Sequence, residues 1–315
     1  MNDFFMPVLQ KAAELNRAPA QNLRDVHEIT TQLTSHINGQ RSLSTKGICS
    51  LVDRLTGFTM LVPVPIPLHL GTVLSRAVKY VEDDGGFAYD SVSRLSYIPA
   101  GATVVPQQGR LNKSGESMFY CCLNADANSA GTILSEVRAE KGQIFNMLQC
   151  RTKFETLEHG STLNVVPLGI SDYFRRGVPT PFLLHEVFRE IYELLRSNLH
   201  PVAMLAMQLC DAFLTHSLSS AGSPGLFDVT SAISAECLQP NELDGILYPS
   251  TTFEGFANLV LKPNSVDRKI RYESAISVRV EEKFGYGIYQ IEHLDHGVVH
   301  ADKVHWTRQR RSAEA

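Results

Sequence analysis

GRLNKSGESMFYCCLNADANSAGTILSEVRAEKG, residues Gly109 to Gly142, decides how the rest of the chain is read. A Gly-Arg pair leads through a polar loop holding Lys113, Ser114 and Gly115 into an apolar run from Met118 to Leu123, the pattern of a loop feeding a buried strand. Small polar residues follow from Asn124 to Ser129, and Ala130 to Val137 has the composition of a helix with Glu136 at its far end. One loop, strand and helix unit therefore delivers an arginine (Arg110), a strand tyrosine (Tyr120) and a helix-end carboxylate (Glu136).

Upstream of that unit, Asp3 to Ser35 has apolar residues at helical spacing, with a break near Pro19 and an exit at Asn38-Gly39. A helical N-terminal region over residues 1–75 is expected. Ile48 to Met60 adds a helix or strand, and LVPVPIPL (Leu61 to Leu68) alternates proline with apolar residues, which forces an extended connection. Leu70 to Tyr80 predicts a helix, and SVSRLSYI (Ser91 to Ile98) alternates as a strand does, with Arg94 at its middle.

Downstream, Gln143 to Gln149 and Ser161 to Leu168 predict strands. Phe182 to Ser197 and Val202 to Leu218 predict a helical pair parted at Pro201, its methionines and leucines suited to helix packing; the Gly/Ser/Pro cluster Ser219 to Gly225 closes it. Glu242 to Pro263 returns to strand character around a Tyr-Pro-Ser turn at Tyr248 to Ser250. Ile270 to Val280 and Gly285 to Ile291 predict a hairpin turning at Phe284-Gly285, and Gly297 to Trp306 adds one more strand. Helices and strands interleave without regular βαβ spacing, so the expected class is α+β with a mixed or mostly antiparallel sheet. The expected division is the helical region, a core domain over 76–267 with a helical insertion at about 180–220, and a β-hairpin extension over 268–315.

At 315 residues, 43% hydrophobic and 20% charged, the chain can bury a substantial core. A net charge of -4 argues against general nucleic-acid binding, although Arg308 to Arg311 is locally basic and reads as a solvated terminus. Six cysteines without a CxxC pair suggest neither a zinc site nor a disulfide framework. MNDFFMPVLQKAAELNR has an acid at position three and no long apolar core, and no stretch approaches a membrane span, so a reducing, cytoplasmic location is the expectation. There is no GxSxG elbow, Walker loop, HExxH or Gly-rich dinucleotide fingerprint. His293, His296, His300 and His305 fall in predicted strand and turn and read as solvated residues rather than metal ligands.

Three stretches together resemble the RES domain, a family named for its Arg, Glu and Ser residues: GRLNKSGESMFY (Gly109 to Tyr120), SEVRAEKGQIFNM (Ser135 to Met147) and DGILYPSTTFEGFANLVL (Asp244 to Leu261). They stand in the family's order and span roughly Arg94 to Pro263. The resemblance implies a fold like that of the diphtheria-toxin type of ADP-ribosyltransferase, and a toxin that consumes NAD as substrate and needs no metal. It further implies an antitoxin of Xre type as a protein partner, beside which homo-oligomerisation stays open. By the same resemblance Arg110 matches a phosphate-binding arginine, Tyr120 a nicotinamide-facing tyrosine, Glu136 the catalytic acid and Ser250 the serine. Arg94 matches an upstream arginine, and Asn258 falls where an asparagine often follows the serine turn.

The chemistry fits those roles. Breaking the nicotinamide–ribose bond builds positive charge on the anomeric carbon, which Glu136 would stabilise. Arg110 offers a planar fork for pyrophosphate, Tyr120 a ring to stack on nicotinamide, and Ser250 a hydroxyl to fix geometry. Each residue also has an ordinary role: Arg110 in an ion pair with Glu116 or Glu136, Tyr120 in the core, Glu136 solvated at a helix end, Ser250 in a turn, Arg94 on an exposed face. The expected activity is cleavage of NAD with ADP-ribose passing to water or phosphate. Transfer of ADP-ribose to a protein or nucleic acid uses the same residues, and a non-catalytic partner-binding module is the third reading.

Overall fold

The computed structural model describes residues 5–59, 64–67, 73–81, 86–124, 129–153, 162–169, 175–177, 186–220, 222–250, 252 and 256–307. The basic stretch Arg308 to Arg311 and part of Leu61 to Leu68 lie outside them; within the latter, Val64–Pro67 is a short strand, β1, as its prolines require. The chain combines α and β structure and divides into two compact units, each drawn from three stretches. The helical unit comprises Met1–Pro65, Gln107–Glu116 and Asn164–Ala257; the sheet unit comprises Ile66–Pro106, Ser117–Leu163 and Asn258–Ala315.

In the helical unit, α1 (Met6–Leu15), α2 (Pro19–Ile37) and α3 (Thr45–Thr56) pack on α6 (Glu186–Asn198), α7 (Pro201–Ser219) and α8 (Pro224–Cys237). Local chemistry sets the helix starts. Proline stands in the first turn of α1, α2, α7 and α8, where its missing N–H costs nothing. Ser44 Oγ accepts from Gly47 N, and Ser223 Oγ accepts from Leu226 N. The Gly/Ser/Pro cluster thus ends α7, as expected, and also opens a third helix, α8. In α2, Val26, Ile29 and Leu33 form a fully buried stripe, and α7 is buried nearly all round, the mark of a central helix. Two parallel strands, β5 (Thr162–Pro167) and β6 (Gly245–Pro249), pair Val165 with Gly245 and Pro167 with Leu247.

The sheet unit holds an antiparallel sheet in the order β7-β3-β2-β4-β8-β9-β10. These are β2 (Val73–Lys79), β3 (Phe119–Asn124), β4 (Ile144–Thr152), β7 (Ala257–Leu261), β8 (Ile270–Gly285), β9 (Ile288–His300) and β10 (Lys303–Trp306). α4 (Val92–Leu95) lies over one face, α5 (Ser129–Glu136) over the other, and α9 (Pro263–Lys269) precedes β8.

Three local expectations are corrected. Leu70 to Tyr80 holds a strand, not a helix: β2 pairs with β3 on one side and β4 on the other, and this ladder outweighs the weak local preference. Ser91 to Ile98 holds one helical turn, because buried Val92 and Leu95 satisfy an i, i+3 pattern and Ser96 N bonds back to Val92 O. The β8–β9 hairpin turns at Tyr286-Gly287, whose φ of 53° and 75° suit a tight two-residue connection.

Candidate functional site

The centre of the sheet unit brings three of the sequence-selected residues to one sheet face. β3 pairs with β7 through Tyr120↔Val260 and Cys122↔Asn258, and with β2 through Ser75↔Cys122. Strand alternation puts Tyr120, Cys122, Asn258 and Ser75 on one face and Phe119, Cys121 and Arg76 on the other. α5 covers the first face, where Ile133 and Leu134 pack with Cys122, Ala77, Phe145, Met147, Val278 and Val280. Glu136 ends α5 half-buried, close enough to Cys122 for its charge to act on the thiol. Burial first, then that carboxylate, pushes the Cys122 thiol well above its ordinary range, so it stays neutral and serves as a weak donor.

Asn258 accepts that donor: Cys122 Sγ lies 3.2 Å from its Oδ1. The other end of the amide is unused. Asn258 is 3% exposed, and among the described residues its Nδ2 is buried without a hydrogen-bond partner. A buried donor without a partner costs about 1–3 kcal/mol, so each one calls for an explanation. Tyr120 stands two residues before Cys122 on the same face, half-buried, its backbone about 7 Å along the strand.

Sequence reasoning missed Arg76 and Cys122. The β2–β3 pairing ends at Ser75↔Cys122 although both strands continue, so they fork there. Arg76 fills the fork: Nη1 donates to Tyr120 O at 3.0 Å, Nε to Leu95 O at 3.2 Å, and the guanidinium stands 5.6 Å from the Phe119 ring centre. Burial lowers its pKa, partly offset by the nearby thiols and phenols, and the described ion pairs include no carboxylate for it. The only advance signal was an arginine within an apolar run, in a segment that reads as helix from sequence.

Arg94, Arg110 and Ser250 each have described partners within their own unit. Arg94 is exposed on α4, over the Arg76 face of the sheet and so opposite Glu136, and stacks on Tyr89 at 4.6 Å. Arg110 and Ser250 belong to the helical unit. Arg110 donates to Ser217 O at 3.1 Å and Ser220 O at 2.7 Å, binding the carbonyl end of α7 where a cation is favoured. Ser250 is buried in a turn after β6: its N donates to Phe256 O at 2.9 Å and its Oγ accepts from Thr252 N at 3.2 Å. An open pocket of about 410 Å³ in the helical unit is lined by Phe5, Glu190, Glu193, Leu194 and Ser197, none of them candidates. Among the described residues no group of three His, Cys, Asp or Glu is placed to hold a metal ion, and no helix is long and apolar enough to cross a membrane.

Comparison with protein-family models, with curated proteins and with solved structures finds no match to this chain.

Proposed function

We propose that the protein cleaves NAD at the nicotinamide–ribose bond, as an enzyme of ADP-ribosyltransferase-like fold resembling the RES domain, with its chemistry centred on Glu136. One observation carries the reading: Glu136 and the Asn258 amide, whose Nδ2 has no described partner, meet around Cys122 on the sheet face that also presents Tyr120. A carboxylate, an unused amide donor and a half-buried phenol ring are what the substrate's reacting half requires. Its ring is a cationic pyridinium, its ribose carries hydroxyl donors, and its carboxamide oxygen is an acceptor.

The bond from the anomeric carbon to the ring nitrogen breaks, and its electron pair goes to the ring, which leaves as neutral nicotinamide. The sugar carbon left behind carries positive charge that the Glu136 carboxylate stabilises while accepting a hydrogen bond from a ribose hydroxyl. Water or phosphate then adds to that carbon, water losing a proton, to give ADP-ribose or its phosphate. Asn258 Nδ2 donates to the substrate, and Tyr120 holds the ring against the sheet. The Arg110 and Ser250 roles rest on the sequence resemblance alone, as does an antitoxin of Xre type as partner.

Incubating the purified protein with NAD and separating nicotinamide, ADP-ribose and its phosphate by chromatography tests this. Glu136→Gln, nearly equal in shape, is expected to lower nicotinamide release by about 100-fold or more. Turnover by Glu136→Gln equal to the parent, or no release by the parent, overturns the reading. Nicotinamide release with ADP-ribose attached to a macromolecule instead of free identifies transfer as the reaction.

A further inference from the structure

Closing the fork between β2 and β3 takes two hydrogen-bond donors, and Arg76 supplies them through Nε to Leu95 O and Nη1 to Tyr120 O. A guanidinium carries five N–H donors and keeps its charge, so three donors remain after those two bonds. Nη2, with two of the three, has no described hydrogen-bond partner, yet it is not one of the buried unpaired atoms, so it faces solvent. Arg76 is half-buried, and burial works against its charge and lowers its pKa. A neutral amide side chain would close the fork without that cost.

The groups around this cation are donors rather than counter-charges. Those that act on its ionisation are Cys121, Tyr120, Cys150 and Tyr272, none of them a carboxylate. Burial keeps both thiols protonated and pushes the Tyr272 phenol up to about 12, so all three are neutral near pH 7. Tyr272 shares the sheet face of Arg76, because it pairs with Cys150, which pairs with Leu74 two residues before Arg76. The hydroxyls of Tyr272 and Ser96 lie 2.5 Å apart; one hydrogen makes that contact, and the other has no described acceptor. Ser96 directly follows Leu95, whose carbonyl takes Arg76 Nε. Asp267 acts on Tyr272 and Glu273 on Cys150, but both carboxylates are engaged, by the Tyr97 hydroxyl and by Arg151 with Arg271, and neither acts on Arg76. Among the described residues the cluster therefore has donors to spare and no anion to take them.

We propose that Arg76 and the Ser96–Tyr272 hydroxyl pair form a binding site for a small oxyanion, a carboxylate or phosphate group. The anion's oxygens accept from Nη2 and from the second hydroxyl hydrogen, and its charge offsets the guanidinium. The Phe119 ring, centred 5.6 Å from the guanidinium and 6.5 Å from the Tyr272 ring, adds an apolar wall that strengthens the attraction. Water accepts the same hydrogens but leaves the charge unbalanced. The site lies on the sheet face opposite Cys122 and Asn258, so it stands apart from the proposed cleavage of NAD.

The test titrates the full chain by calorimetry with inorganic phosphate and, separately, with acetate, at constant ionic strength. Saturable binding of at least one of the two is expected; phosphate alone identifies a phosphate group as the ligand, acetate alone a carboxylate, and both a site that takes either. Arg76→Lys keeps the charge but loses the planar fork, and is expected to weaken that binding by about tenfold or more. Tyr272→Phe leaves the fork intact and removes one hydroxyl, for an expected loss of about threefold. Glu136→Gln is expected to bind the anion as the parent does, whatever it does to NAD, which keeps the two readings separable. The fluorescence of Trp306, the single tryptophan, reports whether the sheet unit remains folded. No saturable binding of either anion by the parent, undiminished binding by folded Arg76→Lys, or binding lost in Glu136→Gln each overturns the proposal. If Arg76→Lys does not fold, undiminished binding by Tyr272→Phe overturns it instead.

Discussion

Asn258 separates a structural role from a ligand-binding one. Were it retained for stability, replacing it would cost free energy; its Nδ2 has no described partner and its Oδ1 takes only a weak thiol donor, so the amide contributes little to the fold. Asn258→Leu, close in volume, removes the orphan donor and leaves the Cys122 thiol in an apolar setting it tolerates. The expected outcome is a urea midpoint equal to or above that of the parent, a change within about 1 kcal/mol, with nicotinamide release lowered about tenfold or more. Loss of stability with activity retained would assign Asn258 to the core alone. The amide enters the sequence reading through the resemblance to the RES domain, which places an asparagine after the serine turn. Cys122 and Arg76 do not enter it, because what each does depends on the strand opposite. A thiol becomes a partner for Asn258 only through the β3–β7 register, and an arginine closes a fork only where two strands separate.

α5 and the β8–β9 hairpin show how an element is held where the site needs it. A methyl group at Gly131 would lie 2.5 Å from Gly287 O, so α5 approaches the hairpin turn more closely than any other residue permits. Two ion pairs join the loop after α5 to the same hairpin, Lys283 to Glu140 at 2.6 Å and Lys141 to Glu282 at 2.5 Å. These exposed pairs contribute little each, and the glycine contact sets the distance. Gly131→Ala is expected to move α5 off the turn and destabilise the sheet unit by about 1–3 kcal/mol, read as a lower urea midpoint by Trp306 fluorescence. An unchanged midpoint would mean that the helix yields without strain. α5 itself was legible from composition, as were β4, β5 and the helices α6 and α7, whose periodicity is local. β2 and α4 were not. VLSRAVK carries no clean alternation because the strand is central, and VSRL fits both a strand and a helical turn, so register and packing decide.

At the scale of the molecule, the helical unit is assembled from stretches far apart in sequence: the N-terminal helices α1 to α3 pack on α6 to α8, which no local pattern announces. Both units share one electrostatic property, buried neutral thiols. Burial raises Cys121, Cys122 and Cys150 in the sheet unit and Cys210 and Cys237 in the helical unit, Cys237 to about 12. In the unfolded chain a thiol ionises near pH 8.5, whereas in the folded protein it holds its proton far above that. A group whose folded pKa is raised contributes stability that is complete below the unfolded value and is lost as pH rises toward the folded one. Stability is therefore expected to be level, as far as these groups govern it, from about pH 7 to about pH 8.5, and to fall above it. Each thiol costs about 1.4 kcal/mol per pH unit, so three give the sheet unit a slope of about 4 kcal/mol per pH unit at its upper bound. Trp306 is buried in the sheet unit and is the chain's single tryptophan, so urea titrations under reducing conditions followed by its fluorescence read that unit. Cys150→Ala, on the sheet face opposite Cys122, should flatten the alkaline slope by about one third, because one of three coupled ionisations is removed. A midpoint that stays level to about pH 10 would mean that the thiols ionise within the folded sheet, which their burial beneath α4 and α5 forbids.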